Sequence, residues 1–229
     1  MSHILCIETA TEVCSVSVAV NGKTATLLEL NEGYTHASRL PDLIQNAITQ
    51  AGIKLSDLNA VAVSKGPGSY TGLRVGVSTA KGLCYALDIP LLSVNTLHAL
   101  AWCARQTLNT NEYDLLIPMI DARRMEVYCA VYDKTLNELL PAEARIIEAG
   151  SFSEFNHHRI VFFGNGASKC STVLQQPHAL FLPNITCSAL GMAQLAQQVF
   201  EQQHFEDVAY FEPYYLKDFV GTTPKPKWQ

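Results

Sequence analysis

Apolar and polar residues alternate through Cys14–Val20: Cys14, Val16, Val18 and Val20 fall on one side, and Ser15, Ser17 and Ala19 on the other. That period of two is the mark of a strand. An apolar run, His3–Ile7, precedes it, and Asn21-Gly22 follows as a strong hairpin signal before a third run, Thr24–Leu30. A three-strand meander is therefore expected, with Glu8–Thr11 at its first turn. The period then changes. Leu40, Leu43, Ile44, Ala47, Ile48 and Ala51 make one apolar face of a helix over 38–51, closed by Gly52. Ala60–Val63 and Leu91–Val94 have the apolar character of buried strands. Helices are expected over 71–87, Thr96–Leu108 and Ser188–Gln203, the last with Leu190, Ala193, Ala196, Val199 and Phe200 on one side. The opening order βββαβαβα predicts a mixed α/β sheet.

The second half repeats the order of the first. At one constant offset Asp121 matches Glu8, Val127 matches Cys14, Cys129 matches Val16 and Val131 matches Val18. At a shorter offset Val161–Gly166 resembles Val63–Gly68, so material has been lost from the second half. That half has no counterpart of the 71–87 helix. Two duplicated lobes are predicted: 1–110, and a reduced 111–229 ending in a mobile basic tail around Lys225 and Lys227. The tail is either a solvated terminus or a contact for RNA or a protein.

Between the Ala60–Val63 strand and the following helix lies Gly66-Pro67-Gly68-Ser69-Tyr70-Thr71-Gly72. Glycines free the backbone here, and Ser69 or Thr71 is placed to cap the helix. A helix N-terminus of this kind favours an anion. Glu8, Thr9, Thr11, Gly66, Gly68 and Ser69 are thus the candidates for a nucleotide or anion, against the alternative of a tight turn with no ligand. Lys65 precedes the loop, however, and no Gly-Lys-Ser/Thr follows it. Downstream, Gly72, Gly76 and Ala80 recur every four residues, a bare stripe that lets another backbone come close. It serves either the chain's own sheet or another subunit.

A formal charge of −5 argues against a protein that grips nucleic acid mainly by itself. The seven cysteines show no CxxC pair, and the seven histidines no HxxxH or HExxH, so neither a disulfide framework nor a zinc motif is indicated. No apolar run reaches membrane-spanning length and no signal-like segment opens the chain, which points to the cytoplasm.

Two duplicated lobes, each opening on a strand, an acidic turn and a hairpin, resemble the actin, Hsp70 and sugar kinase superfamily, a ribonuclease H-like α/β fold with mixed sheets. Within it, Ile4–Val16, Gly66–Gly76 and Ile120–Arg124 with Glu126-Val127-Tyr128 resemble the signatures of the TsaB (YeaZ) family. The resemblance implies a non-catalytic subunit of the bacterial apparatus that forms threonylcarbamoyladenosine at position 37 of ANN-decoding tRNAs. It would pair with a TsaD-like transferase, be joined by a TsaE-like ATPase, self-associate when alone and meet tRNA through the complex. It implies no firmly held cofactor, with ATP or ADP placed at the partner interface. The transferase paralogue holds its metal with two histidines and an aspartate. The matching positions here are Thr96, Leu100 and Ser188, which removes all three ligands.

The contact with the transferase is expected on helices 38–51 and 71–87, through Leu40, Leu43, Ile44, Ala47, Tyr70, Gly72, Arg74, Val75, Gly76, Thr79 and Ala80. The alternative is a phosphotransferase or nucleotide hydrolase of the same superfamily, with Glu8 and Asp121 placing a magnesium-bound phosphate between the Gly66–Gly68 and Gly164–Gly166 turns.

Overall fold

The computed structural model describes residues 1–33 and 35–217. Its first sheet contains β1 (His3–Glu8), β2 (Cys14–Val20), β3 (Lys23–Leu30), β4 (Ala60–Gly66) and β5 (Leu91–Asn95). Helices α1 (His36–Gln50), α2 (Tyr70–Leu87) and α3 (Thr96–Thr107) follow β3, β4 and β5. The second sheet contains β6 (Leu115–Asp121), β7 (Glu126–Asp133), β8 (Glu138–Ile146), β9 (Ile160–Phe163) and β10 (Ala179–Leu182). The four-residue α4 (Ala167–Cys170) follows β9, and α5 (Ala193–Glu201) follows β10.

Strand order is β3-β2-β1-β4-β5 in one sheet and β8-β7-β6-β9-β10 in the other. In each, the first three strands form an antiparallel meander and the remaining pairings are parallel. The duplication predicted from the matched motifs is therefore present strand for strand. The reduction is equally plain. A single turn, Ser153–Phe155, stands where α1 would fall, and α4 replaces the 18-residue α2.

Alternation along β1 serves two cores. Leu5 and Ile7 pack under α1 and α2 with Leu40, Ile44, Ile48, Val77 and Cys84. Ile4 and Cys6 face the other way, against Ala99 of α3 and Met192, Ala193 and Ala196 near α5. Each large aliphatic side chain taken out of water contributes roughly 1.5–3 kcal/mol. Helix α3 is a wedge between the lobes. Its Ala99 belongs to the first-lobe core, while Leu97, Leu100, Ala101 and Ala104 pack on Leu116, Ile120 and Ala130 of the second sheet.

Part of the stretch expected as the second lobe, 111–229, packs on the first. Residues 189–201 return to the first lobe because their apolar face completes the Ile4–Cys6 core. The segment after α5 continues there, with Glu206 N–H donating to Leu91 O (2.9 Å), and Lys81 Nζ donating to Ala209 O and Phe211 O (3.1 and 3.0 Å). The helix expected over 188–203 is also interrupted. Ala189–Met192 is a 3-10 turn, because Gly191 lies so close to Ala99 O and Cys103 that a Cβ there would meet both at under 3.0 Å. The predicted mobile tail lies outside the described residues from 218 onward.

Candidate functional site

The glycine-rich loop is packed down rather than held open. Ser69 Oγ caps α2 by accepting from Gly72 N–H (3.3 Å). Ser69 N–H donates to Ala10 O (2.7 Å), and Gly66 N–H donates to Thr96 Oγ1 (3.1 Å). Gly68 is glycine because a Cβ would strike Ala10, and Gly66, at φ 113°, is covered by Tyr214. The equivalent turn of the second lobe also spends a donor internally, Gly166 N–H on Met119 O (2.9 Å). Of the residues expected to meet a nucleotide or anion, Glu8, Thr9, Thr11, Gly66, Gly68 and Ser69, several are engaged within the chain. Of the loop's donors, those of Gly66 and Ser69 are taken by the chain itself. Thr9 Oγ1 donates to Gly72 O (2.8 Å), and Thr11 O is hydrogen-bonded to the His36 ring (2.7 Å).

Glu8 is fully buried at the end of β1. Its Oε1 accepts from Ala10 N–H (2.7 Å) and Ser64 Oγ–H (2.9 Å), while Oε2 has no hydrogen-bond partner among the described residues. Burial raises its pKa to about 7, opposed by the hydrogen bonds from Ala10, Ser64 and Thr9. Asp121 stands apart, exposed at the end of β6, with its Oδ1 2.6 Å from Lys169 Nζ. The two carboxylates expected to place a magnesium-bound phosphate thus have different surroundings, Glu8 buried and Asp121 exposed beside Lys169. Among the described residues no group of three His, Cys, Asp or Glu converges as metal ligands would.

The outer faces of α1 and α2 also differ from expectation. Leu40, Leu43, Ile44 and Ala47 are buried in the first-lobe core and are unavailable to another chain. Gly72, Gly76 and Ala80 are buried too. The first two lie against Thr9, and Gly76 also against Val63. The bare stripe brings α2 onto its own sheet. Of the expected contact residues, Tyr70, Val75 and Thr79 remain half-buried and Arg74 exposed. Beside them Ser78, Gly82, Tyr85 and Ala86 are exposed, Tyr85 at 85% and Gly82 with open space where a Cβ would point. Ser78, Gly82 and Ala86 recur every four residues just as the buried stripe does. That signal was in the sequence, on another side of the same helix.

Between the lobes is a cleft of about 630 Å³. The turns after β1 and β6, the start of α2 and the segment ending at Lys217 form its walls. Asn165 joins the lobes, accepting from Asp121 N–H (3.0 Å) and donating to Glu12 Oε2 (3.0 Å). Lys217 pairs with Glu126. Tyr215 packs on Tyr70 with ring centroids 4.8 Å apart and the planes tilted by 34°, and the Arg74 guanidinium lies 4.4 Å over the Tyr70 ring. Arg123 and Arg124, in the β6–β7 turn, have φ of 72° and 51°.

Thr96, Leu100 and Ser188, expected from the resemblance to replace metal ligands, have structural work here. Thr96 receives the Gly66 N–H, Leu100 is in the interlobe core, and Ser188 Oγ accepts from Leu190 N–H (3.0 Å).

Comparison with known proteins covers almost the whole chain. A family model described as TsaD, tRNA N6-adenosine threonylcarbamoyltransferase, matches residues 33–221. The tRNA threonylcarbamoyladenosine biosynthesis protein TsaB of Escherichia coli is 32% identical over 98% of both chains. Its counterpart in Haemophilus influenzae is 28% identical over 95% of this chain and 94% of its own. Among solved structures, YeaZ from Pseudomonas aeruginosa superposes with a TM-score of 0.83 at 26% identity, covering 94% of this chain and all of the other. With its duplicated lobes and a match running nearly from end to end, the chain belongs to the TsaB (YeaZ) family of tRNA threonylcarbamoyladenosine biosynthesis proteins.

Proposed function

We propose that the chain is the non-catalytic, cytoplasmic subunit that supports a TsaD-like transferase in forming threonylcarbamoyladenosine on ANN-decoding tRNAs. One observation carries this reading: the chain matches a TsaB relative end to end, 32% identical over 98% of both chains. Thr96, Leu100 and Ser188, the positions expected to replace the paralogue's metal ligands, are each committed to a hydrogen bond or to the core. The phosphotransferase alternative is less favoured, since Glu8 is fully buried and the Gly66–Gly68 and Gly164–Gly166 turns lie against the chain's own backbone. Reconstituting tRNA modification with transferase and ATPase, with and without this chain, is the test. Strong dependence is expected, and full modification in its absence refutes the role.

The transferase docks, in this proposal, on the outer face of α2 around Arg74, Ser78, Thr79, Gly82 and Tyr85. Small residues on one exposed helical stripe let a partner helix approach, and Arg and Tyr are favoured anchors at interface centres. The same face serves self-association when the transferase is absent, a TsaE-like ATPase joins the pair, and ATP or ADP sits at the junction rather than within this chain. Replacing Gly82 by leucine is expected to weaken association at least about tenfold in analytical ultracentrifugation. The fold should hold or gain, since an exposed helical glycine costs about 1 kcal/mol. Association unchanged by this variant would move the interface elsewhere.

A further inference from the structure

We propose that residues 212–217 form a releasable strap across the mouth of the interlobe cleft, and that whatever enters the cleft or meets the Tyr70 ring must first displace it. The inference concerns this chain alone and does not rest on the assembly proposed above.

The chain changes character at Phe211. Up to that point it is anchored on the first lobe. Val208 and Phe211 pack on the core under α1 and α2, Glu206 N–H donates to Leu91 O, and Lys81 Nζ donates to the carbonyls of Ala209 and Phe211. Beyond it, no side chain of 212–217 joins a buried apolar cluster. Among the described residues, the segment is held by Tyr214 N–H on Lys65 O (2.7 Å), the Tyr215 ring on Tyr70, and the ion pair of Lys217 with Glu126. The first two contacts are on the first lobe and the third is on the second, so the strap crosses the cleft that it lines.

The closed position is built in, yet shallow. Gly66 makes room for it, since an added Cβ would lie 2.6 Å from Tyr214 O. Against that, closure takes the Tyr215 hydroxyl out of water with no partner among the described residues, a cost that release recovers. The ion pair faces solvent, its side chains 40% and 21% exposed, and pairs of this kind hold weakly and are screened by salt. Segments with few buried contacts open before the rest of a fold does. Release bares the outer side of the Gly66 turn and the face of Tyr70 that Tyr215 covers. A ligand that requires the open form binds more weakly by the fraction of chains that are open, so the strap sets a threshold for access.

Hydrogen exchange of the full chain, read by mass spectrometry on peptides covering 212–217 and β1, is the test. In the parent, 212–217 should exchange at least about tenfold slower than a free peptide and faster than β1. Lys217→Glu sets like charges together and should speed exchange there about threefold or more, with β1 unchanged, whereas Lys217→Arg should stay within about twofold of the parent. Tyr215→Ala loses the ring contact and should speed exchange about threefold or more. Tyr215→Phe keeps the ring and removes the unpaired hydroxyl, so it should slow exchange about threefold or more. Nitration of Tyr70 by tetranitromethane, referred to exposed Tyr85, should rise in Lys217→Glu in step with exchange. Exchange in 212–217 as slow as in β1 overturns the proposal, because the segment is then a fixed part of the fold. Exchange at the free-peptide rate overturns it too, because no closed strap then exists. So does a Tyr215→Phe chain that exchanges faster than the parent, or Tyr70 nitration unchanged by Lys217→Glu.

Discussion

Replacing Gly72 with alanine is expected to destabilise the fold by about 3 kcal/mol or more, read as a lower urea midpoint at unchanged slope. The helix itself would gain, since alanine is better than glycine there by about 1 kcal/mol. What decides the sign is the neighbour. A Cβ on Gly72 would fall on the backbone carbonyl of Thr9 at less than the 3.0 Å that real Cβ contacts respect, and backbone does not rotate aside. The start of α2 would have to lift from β1, which also breaks the bond from Thr9 Oγ1 to Gly72 O (2.8 Å). Overpacking of this kind costs about 1–3 kcal/mol, and an orphaned buried partner about as much again.

One helical turn on, the same argument gives a different pattern. A Cβ on Gly76 meets the Thr9 hydroxyl, a side-chain atom. Thr9→Ala should therefore relieve Gly76→Ala but not Gly72→Ala, and the two double-mutant cycles should differ by about 1 kcal/mol or more. Equal cycles would mean that α2 rides on its sheet less tightly than its glycines indicate. The distinction bears on function. Gly72→Ala acts on the whole fold, whereas Gly82→Leu changes only the outer face of the same helix.

Local patterning made much of this architecture legible. The alternation of Cys14–Val20 matches β2 residue for residue, and Asn21 and Gly22 take the positive φ of 49° and 75° that their hairpin requires. The matched offsets between halves predicted two sheets of one topology. Side and distance were harder to read. Helix α2 carries two stripes of small residues, and only the position of Thr9, 63 residues away from Gly72 in sequence, decides which is buried. The apolar face of α1 was assigned to a partner although its own sheet needs it. The return of residues 189–211 to the first lobe depends on contacts with Ile4, Cys6 and Leu91, which no window of sequence displays. The two left-handed arginines were equally invisible, because nothing in Ala122–Met125 contains the glycine or asparagine that usually announces positive φ.

The Glu8→Gln variant is expected to be more stable than the parent at pH 8 by about 3 kcal/mol, and to match it within about 1 kcal/mol near pH 5. The folded pKa of Glu8 is about 7, against 4.5 for the unperturbed group, with burial as the largest cause. The sign follows from proton counts. Between those two values the folded chain holds a proton that the unfolded chain has released, so stability falls as pH rises from about 4.5 and levels off above about 7. Each unit of difference is worth about 1.4 kcal/mol, hence the size of the effect. Glutamine is neutral throughout and keeps an acceptor for Ala10 N–H and the Ser64 hydroxyl (2.7 and 2.9 Å in the parent). Its amide then takes the place of the partnerless Oε2. Urea unfolding of both chains across this pH range isolates the group, because other titrations cancel in the difference. A constant difference between the chains would mean that Glu8 ionises normally in the fold. The same variant separates the two functional readings. A buried, half-protonated acid that ties β1 to β4 can become an amide without loss of support for tRNA modification. A magnesium-placing carboxylate cannot, and loss of that support in a stably folded Glu8→Gln chain would return Glu8 to the chemistry.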